Sequence, residues 1–236
     1  MRLLALDSAT ELCSAALIVD GRELTREEMV GRGHAERLLP MADELLREAG
    51  ISVASLDGLA VGRGPGAFTG VRIAISIVQG LAQGAGLPVV PVSNLAAIAA
   101  RAESDLPVLS LIDARMGQLY WAIYGPESFH AHPSSAWQAV CEHLSAPESV
   151  QISAARFVAA GPGWGVYPAL AQRLEASVES AQPGHWPRAL DIARLASGPL
   201  AAGQGLAAEA LEPVYLRDTV TTPSSRAPAG PRRKGA

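Results

Sequence analysis

The sequence predicts an α/β fold in two lobes, the first ordered βββαβαβ. Three observations lead there. The chain opens with three strand-like runs joined by turn signals. Two long helical patterns follow, each succeeded by a short apolar run, and a glycine-rich turn introduces the second helix.

Leu3 to Leu6 is an apolar run that ends at Asp7. Ser14 to Val19 is the second strand, and Asp20-Gly21 behind it is a hairpin signal. Glu23 to Met29 makes a third, with a polar content that suits a sheet edge. From His34 to Gly50, Ala35, Leu38, Leu39, Ala42, Leu45, Leu46 and Ala49 recur at helical spacing, and Gly50 supplies a C-cap. Pro40 lacks an N–H and crowds the preceding turn, so the regular helix is expected to start near it or to kink there.

Leu56 to Val61 is the fourth strand. Gly62, Gly64, Pro65 and Gly66 break it, and Thr69-Gly70 opens the second helix. Arg72, Ser76, Gln79 and Gln83 form one narrow polar stripe on that helix. Val71, Ile73, Ala74, Ile75, Ile77, Val78, Leu81 and Ala82 cover the rest, so it needs burial on more than one side. Pro88 to Val92 is the fifth strand, and Asn94 to Ala102 is a short helix leading out of the first lobe.

The second lobe starts with a strand pair, Val108 to Asp113 and Gln118 to Tyr124, around Arg115-Met116-Gly117. Residues 126–150 are irregular, with one helix near Trp137 to Leu144. Phe157 to Ala160 is a strand, followed by Gly161-Pro162-Gly163-Trp164-Gly165. A helix from about Arg188 to Ala202 and a closing segment, Glu212 to Arg217, complete the ordered part. The expected units are therefore residues 1–98, 99–219 and a disordered basic tail, 220–236, whose Arg232-Arg233-Lys234 cluster is read as solvated. The first-lobe order is that of the ribonuclease H-like core, which the actin and Hsp70 class (the ASKHA fold) also uses.

Composition bounds the function. The chain has 236 residues, 49% hydrophobic and 18% charged, with a formal net charge of −4, so nothing draws it generally to nucleic acid. Cys13 and Cys141 stand far apart with no metal spacing, as reduced thiols would. Asp7 interrupts any signal-peptide pattern, and no run is long enough to span a membrane. A soluble, cytoplasmic protein is the expectation.

The strand, glycine-rich turn and helix around residues 59–86 can present backbone N–H groups to an anion, with Asp7, Gly64, Pro65, Gly66, Thr69 and Gly70 as the phosphate-loop candidates. The same residues equally make a tight turn, because neither GxxxxGK[ST] nor GxGxxG is present. Asp7, a lone carboxylate at a strand end, reads first as a turn cap and second as a magnesium–phosphate ligand. A two-metal nuclease is a poor fit. The first helix offers Glu36, Asp43, Glu44 and Glu48, but the fourth strand ends in Val61-Gly62 and Asp57 lies at its wrong end. His130 and His132 read as loop residues, and there is no HExxH.

The string GRGPGAFTGVRIAISIVQGLA resembles the GPGSFTGLRIG segment of the TsaB (YeaZ) family. LLALDSATELCSAAL, HAERLLP, DARMGQLYWAIY and PVYLRD agree with it as well, so the resemblance runs from residue 3 to 218. It implies the ASKHA fold and a non-catalytic subunit of the machinery that makes threonylcarbamoyladenosine at position 37 of tRNA. The implied partners are a TsaD-type catalytic subunit, a TsaE-type ATPase and, through the complex, tRNA.

The resemblance also implies an interface. Leu38, Leu39, Ala42, Leu45 and Leu46 on the first helix, with Val71, Ile75, Val78 and Ala82 on the second, would meet the same helix pair of TsaD, or a second copy of this chain when it is alone. At least half of these nine are expected to be ordinary core. Two metal-binding histidines of TsaD align with Asn94 and Ile98, which cannot hold the metal. No cofactor is expected on the chain itself, with ATP or ADP at the complex interface. Asp113 and Arg115 are expected to pair across the turn between their strands. The alternative reading is a standalone ATP-dependent enzyme using Asp7 and the Gly64–Gly66 loop on phosphates.

Overall fold

The computed structural model describes residues 1–130, 138 and 140–217. The tail read as disordered and His132 lie outside the described residues.

Ten strands form two five-stranded sheets with the same internal order. In the first, β1 (Arg2–Asp7), β2 (Leu12–Val19) and β3 (Arg22–Met29) are antiparallel neighbours. β4 (Gly58–Gly62) and β5 (Val89–Val92) extend the other side of β1 in parallel, giving β3-β2-β1-β4-β5. Asp20 and Gly21 close the first hairpin with φ of 50° and 83°, as an Asp-Gly turn requires. The second sheet repeats the plan. β6 (Val108–Arg115), β7 (Gln118–Tyr124) and β8 (His143–Ser145) are antiparallel, while β9 (Phe157–Ala160) and β10 (Val178–Gln182) run parallel beyond β6.

Strand alternation builds the layers. Leu4, Leu6, Ala15, Leu17, Leu59 and Val61 turn to one face, where α1 (His34–Ala49) and α2 (Phe68–Ala85) cover them. Leu3, Ala5, Ala16 and Ala60 turn to the other, against α3 (Asn94–Arg101) and α6 (Ala189–Ala201). That same core takes in Val108, Ile112, Ala122 and Tyr124 of the second sheet, so α3 and α6 are a middle layer shared by both sheets. The far face of the second sheet packs Leu109, Leu111 and Trp121 against Trp164 and Leu170, the latter on α5 (Pro168–Leu174). A short helix, α4 (Glu127–His130), follows β7. Among the described residues no helix is long and apolar enough to cross a membrane.

Two expectations need correction. The first helix starts at His34, six residues ahead of Pro40, and contains it. Pro40 costs one hydrogen bond there, and burial of Leu38, Met41, Ala42, Leu45 and Leu46 outweighs it. The helix expected near Trp137 to Leu144 lies partly outside the described residues, and its end is strand β8 instead. Trp121 on β7 stacks on His143 at 4.4 Å and donates through Nε1 to Ser145 Oγ at 2.9 Å, and this pairing overrides the local helical pattern. The layering also crosses residue 98. α6, far along the chain, packs on β1, β2, β4 and β5 of the first sheet.

The closing segment extends further back than expected. Leu206 bridges to Val89, and Gln79 Nε2 on α2 donates to the carbonyls of Ala208 and Leu211 at 3.3 and 3.0 Å. The Val214 N–H donates to the Arg63 carbonyl at 2.9 Å, and Arg217 then reaches the β6–β7 turn of the second lobe. Residues 206–217 are thus a strap that covers the Gln79 flank of α2 and joins the lobes.

Candidate functional site

The β1–β2 turn and the β4–α2 turn fold directly against each other. The Ala67 N–H donates to the Ala9 carbonyl at 2.7 Å, and Ser8 Oγ donates to the Gly70 carbonyl at 2.8 Å. A Cβ at Gly70 would overlap the Ser8 carbonyl oxygen, and one at Gly66 would overlap that of Ala9. These two glycines let two backbones touch.

Asn94, the first residue of α3, locks the arrangement. Its Nδ2 donates to Asp7 Oδ1 at 2.7 Å, its Oδ1 accepts from the Gly64 N–H at 2.8 Å, and its own N–H donates to the Gly64 carbonyl at 3.0 Å. Asp7 is fully buried, and its Oδ2 has no partner among the described residues. Burial pushes its pKa from 3.8 to about 7, against the lowering effect of the hydrogen bonds from Asn94 and from the backbone of Ala9 and Ser8.

The six phosphate-loop candidates therefore gather in one place, but Asp7, Gly64, Pro65 and Gly70 are buried there, and only Thr69 is exposed. Two of the loop's N–H donors, those of Gly64 and Ala67, are already used within the chain. Asn94 and Ile98, which the resemblance sets opposite metal-binding histidines, are equally committed, Asn94 to this bridge and Ile98 to the shared core.

Of the nine interface candidates, Leu38, Ala42, Leu45, Leu46, Val71, Ile75, Val78 and Ala82 are buried in the chain's own core, and only Leu39 is exposed, at 46%. The open side of α2 lies opposite these residues. Thr69, Ile73, Ser76, Gly80 and Gly84 recur at helical spacing there, and Thr69, Ser76, Gly80 and Gly84 are exposed while Ile73 is half-buried, with Ile77 half-buried beside them. In the sequence this side is a run of small residues opposite the larger aliphatic ones.

Asp113 and Arg115 pair as expected, with Nη1 to Oδ2 at 3.1 Å and the Arg115 N–H to Oδ1 at 2.9 Å. Arg115 also reaches Glu11 Oε1 of the first lobe at 2.7 Å, and Tyr167 donates to Asp113 Oδ1 at 3.0 Å. Between the lobes lies a cavity of about 630 Å³.

Comparison with known proteins decides the family. A family model described as TsaD, tRNA N6-adenosine threonylcarbamoyltransferase, matches residues 27–218. The tRNA threonylcarbamoyladenosine biosynthesis protein TsaB of Escherichia coli is 40% identical over 93% of this chain and 96% of its own length. The chain belongs to the TsaB family. Its namesake from Haemophilus influenzae is 37% identical over 94% of this chain and 95% of its own length. A solved structure, YeaZ from Pseudomonas aeruginosa, superposes with a TM-score of 0.78 at 41% identity, covering 91% of this chain and 99% of that one. The ribonuclease H-like, ASKHA-type fold read from the strand order is thus that of the TsaB family.

Proposed function

We infer that this chain serves tRNA threonylcarbamoyladenosine synthesis as a non-catalytic subunit, docking a TsaD-type catalytic subunit on the outer side of α1 and α2. The observation that carries this reading is the α2 face of Ile73, Ser76, Ile77, Gly80 and Gly84, joined by exposed Leu39 on α1. Small residues at helical spacing let a second helix approach closely, and the two isoleucines supply apolar area. The buried eight of the nine sequence candidates support that face from below. Asn94 and Ile98 suit the non-catalytic role, because each is engaged in holding the fold where a metal site would need free ligands.

In this reading ATP hydrolysis belongs to a TsaE-type partner, ATP or ADP sits at the interface between subunits, and tRNA is met through the complex in the cytoplasm. A second copy of this chain is the occupant of the same face when TsaD is absent. The test is reconstitution of modified tRNA from TsaD, TsaE, threonylcarbamoyl-AMP synthase, ATP, threonine, bicarbonate and tRNA, with and without this chain. Product measured by mass spectrometry should vanish on omission. It should also fall at least about tenfold with Gly80→Arg or Gly84→Arg, where an added side chain starts in open space and blocks the face. Undiminished product without the chain would refute the subunit role.

A further inference from the structure

α2 carries a single charged residue, Arg72, and no acidic one. Arg72 is exposed, on the side of the helix that also bears Thr69, Ile73 and Ser76. Among the described residues it has neither an ion pair nor a hydrogen bond. Exposed arginines elsewhere, such as Arg47, Arg115, Arg156 and Arg194, end on a carboxylate of the chain itself.

Arg72 is nevertheless held in place. Its guanidinium carbon lies 3.4 Å from the centre of the Phe68 ring and 4.8 Å from that of Tyr215. The two rings stand 5.6 Å apart, inclined at 33°. Phe68 is one helical turn ahead of Arg72, whereas Tyr215 comes from the strap, so the stack forms only when the strap is docked. Arg22 and Arg32 also lack an ion pair among the described residues, but no ring holds them there.

Both rings are themselves open to solvent, Phe68 by 48% and Tyr215 by 43%. The stack therefore continues the open side of α2 as an apolar patch with one ordered cation on it. Aromatic rings and arginine in such a setting are the residue types that carry most of the energy of protein interfaces.

The cation limits what can cover the patch. At 3.4 Å the guanidinium lies against the Phe68 ring, with its N–H donors directed outward and without an acceptor on the chain. Taking an unpaired guanidinium out of water is costly, and a carboxylate that meets it offsets that cost. The rings have already restricted the arginine side chain, so less freedom is lost on association. Two copies of this chain pairing α2 against α2 would bring no carboxylate from that helix.

We propose that Phe68, Arg72 and Tyr215 anchor the α2 docking face, and that the partner subunit sets an aspartate or glutamate carboxylate on Arg72. This rests on the docking of a TsaD-type subunit inferred above and adds the chemistry which that subunit must carry at the contact.

Titration calorimetry of the full chain with a TsaD-type subunit, with and without ATP–magnesium, tests it. Wild type should lose affinity between about 50 and about 500 mM NaCl. Arg72→Gln should bind at least about tenfold more weakly at the lower salt and lose most of the salt dependence. Its melting temperature should stay within about 4 °C of wild type, because only ring contacts are removed. Arg72→Lys keeps the charge without the planar fork and should fall between the two. Gly80→Arg blocks the face without touching the anchor and so separates the two readings. If it abolishes binding while Arg72→Gln binds like wild type, the anchor is overturned and the docking face stands. If Gly80→Arg binds like wild type, or wild type does not bind at all, the docking face falls and the anchor with it. Wild-type affinity that is indifferent to salt also overturns the anchor, with no variant needed. So does a loss in Arg72→Gln that requires ATP, which would assign the guanidinium to a phosphate instead.

Discussion

Asp7 shows how far a single residue can be read. Its place at the end of β1 follows from the apolar run before it, and both a turn cap and a phosphate ligand are open to a carboxylate there. The fold takes neither course in the usual way. It seals Asp7 under the glycine turn and gives it Asn94, a residue eighty-seven positions away, as its hydrogen-bond donor. The raised pKa has a thermodynamic consequence. Between the ordinary carboxyl value of 3.8 and the folded value of about 7, the native chain binds more protons at Asp7 than the unfolded chain does. Stability from this group is therefore fully present below the lower value, declines as pH rises through the window and levels off above it. Asp7→Asn keeps an oxygen for the Asn94 Nδ2 and removes the titration. The stability difference between wild type and variant, taken from urea unfolding at a series of pH values, should move against the wild type from about pH 4 to pH 7. A difference that is flat with pH would mean that Asp7 is not held in this environment.

Among the elements, α2 carries the most meaning per residue. Its helical period and its excess of apolar positions are plain in the sequence, as is the need to bury more than one side. The sequence does not say which apolar residues face the sheet. Val71, Ala74, Ile75, Val78 and Ala82 turn out to, the strap takes the Gln79 flank, and the side of small residues is left open. Its glycines divide accordingly. Gly70→Ala puts a Cβ onto the Ser8 carbonyl, a backbone atom that cannot swing aside, and should destabilise the chain by about 2 kcal/mol despite the better helix propensity. Gly80→Ala meets nothing within 4 Å and should stabilise the isolated chain by up to about 1 kcal/mol. Chemical denaturation of both variants checks the contrast, and equal effects would contradict the packing described for the β1–β2 turn.

At the scale of the whole molecule, the two sheets share a middle layer and are tied at their open side by the strap. Arg217 grips the β6–β7 turn, while Arg115 of that turn reaches Glu11. Removing residues 213–217 should speed amide hydrogen exchange at residues 113–118 relative to a chain ending at Arg217, with the β1–β2 hairpin unaffected. Unchanged exchange would show that the middle layer alone holds the lobes together. By itself the sequence determined what is local: strand alternation, helical period, the Asp-Gly turn, the glycine-rich turn and the segments that mark the TsaB family. Those signals arise from neighbours a few residues apart, so they survive without the fold. The tertiary structure alone decided which helix faces turned inward, that α6 and the strap return to the first sheet, and that Asn94 and two glycines close the loop upon itself. Each of these depends on residues that meet only after the chain has closed over long separations, and no local period encodes such a meeting.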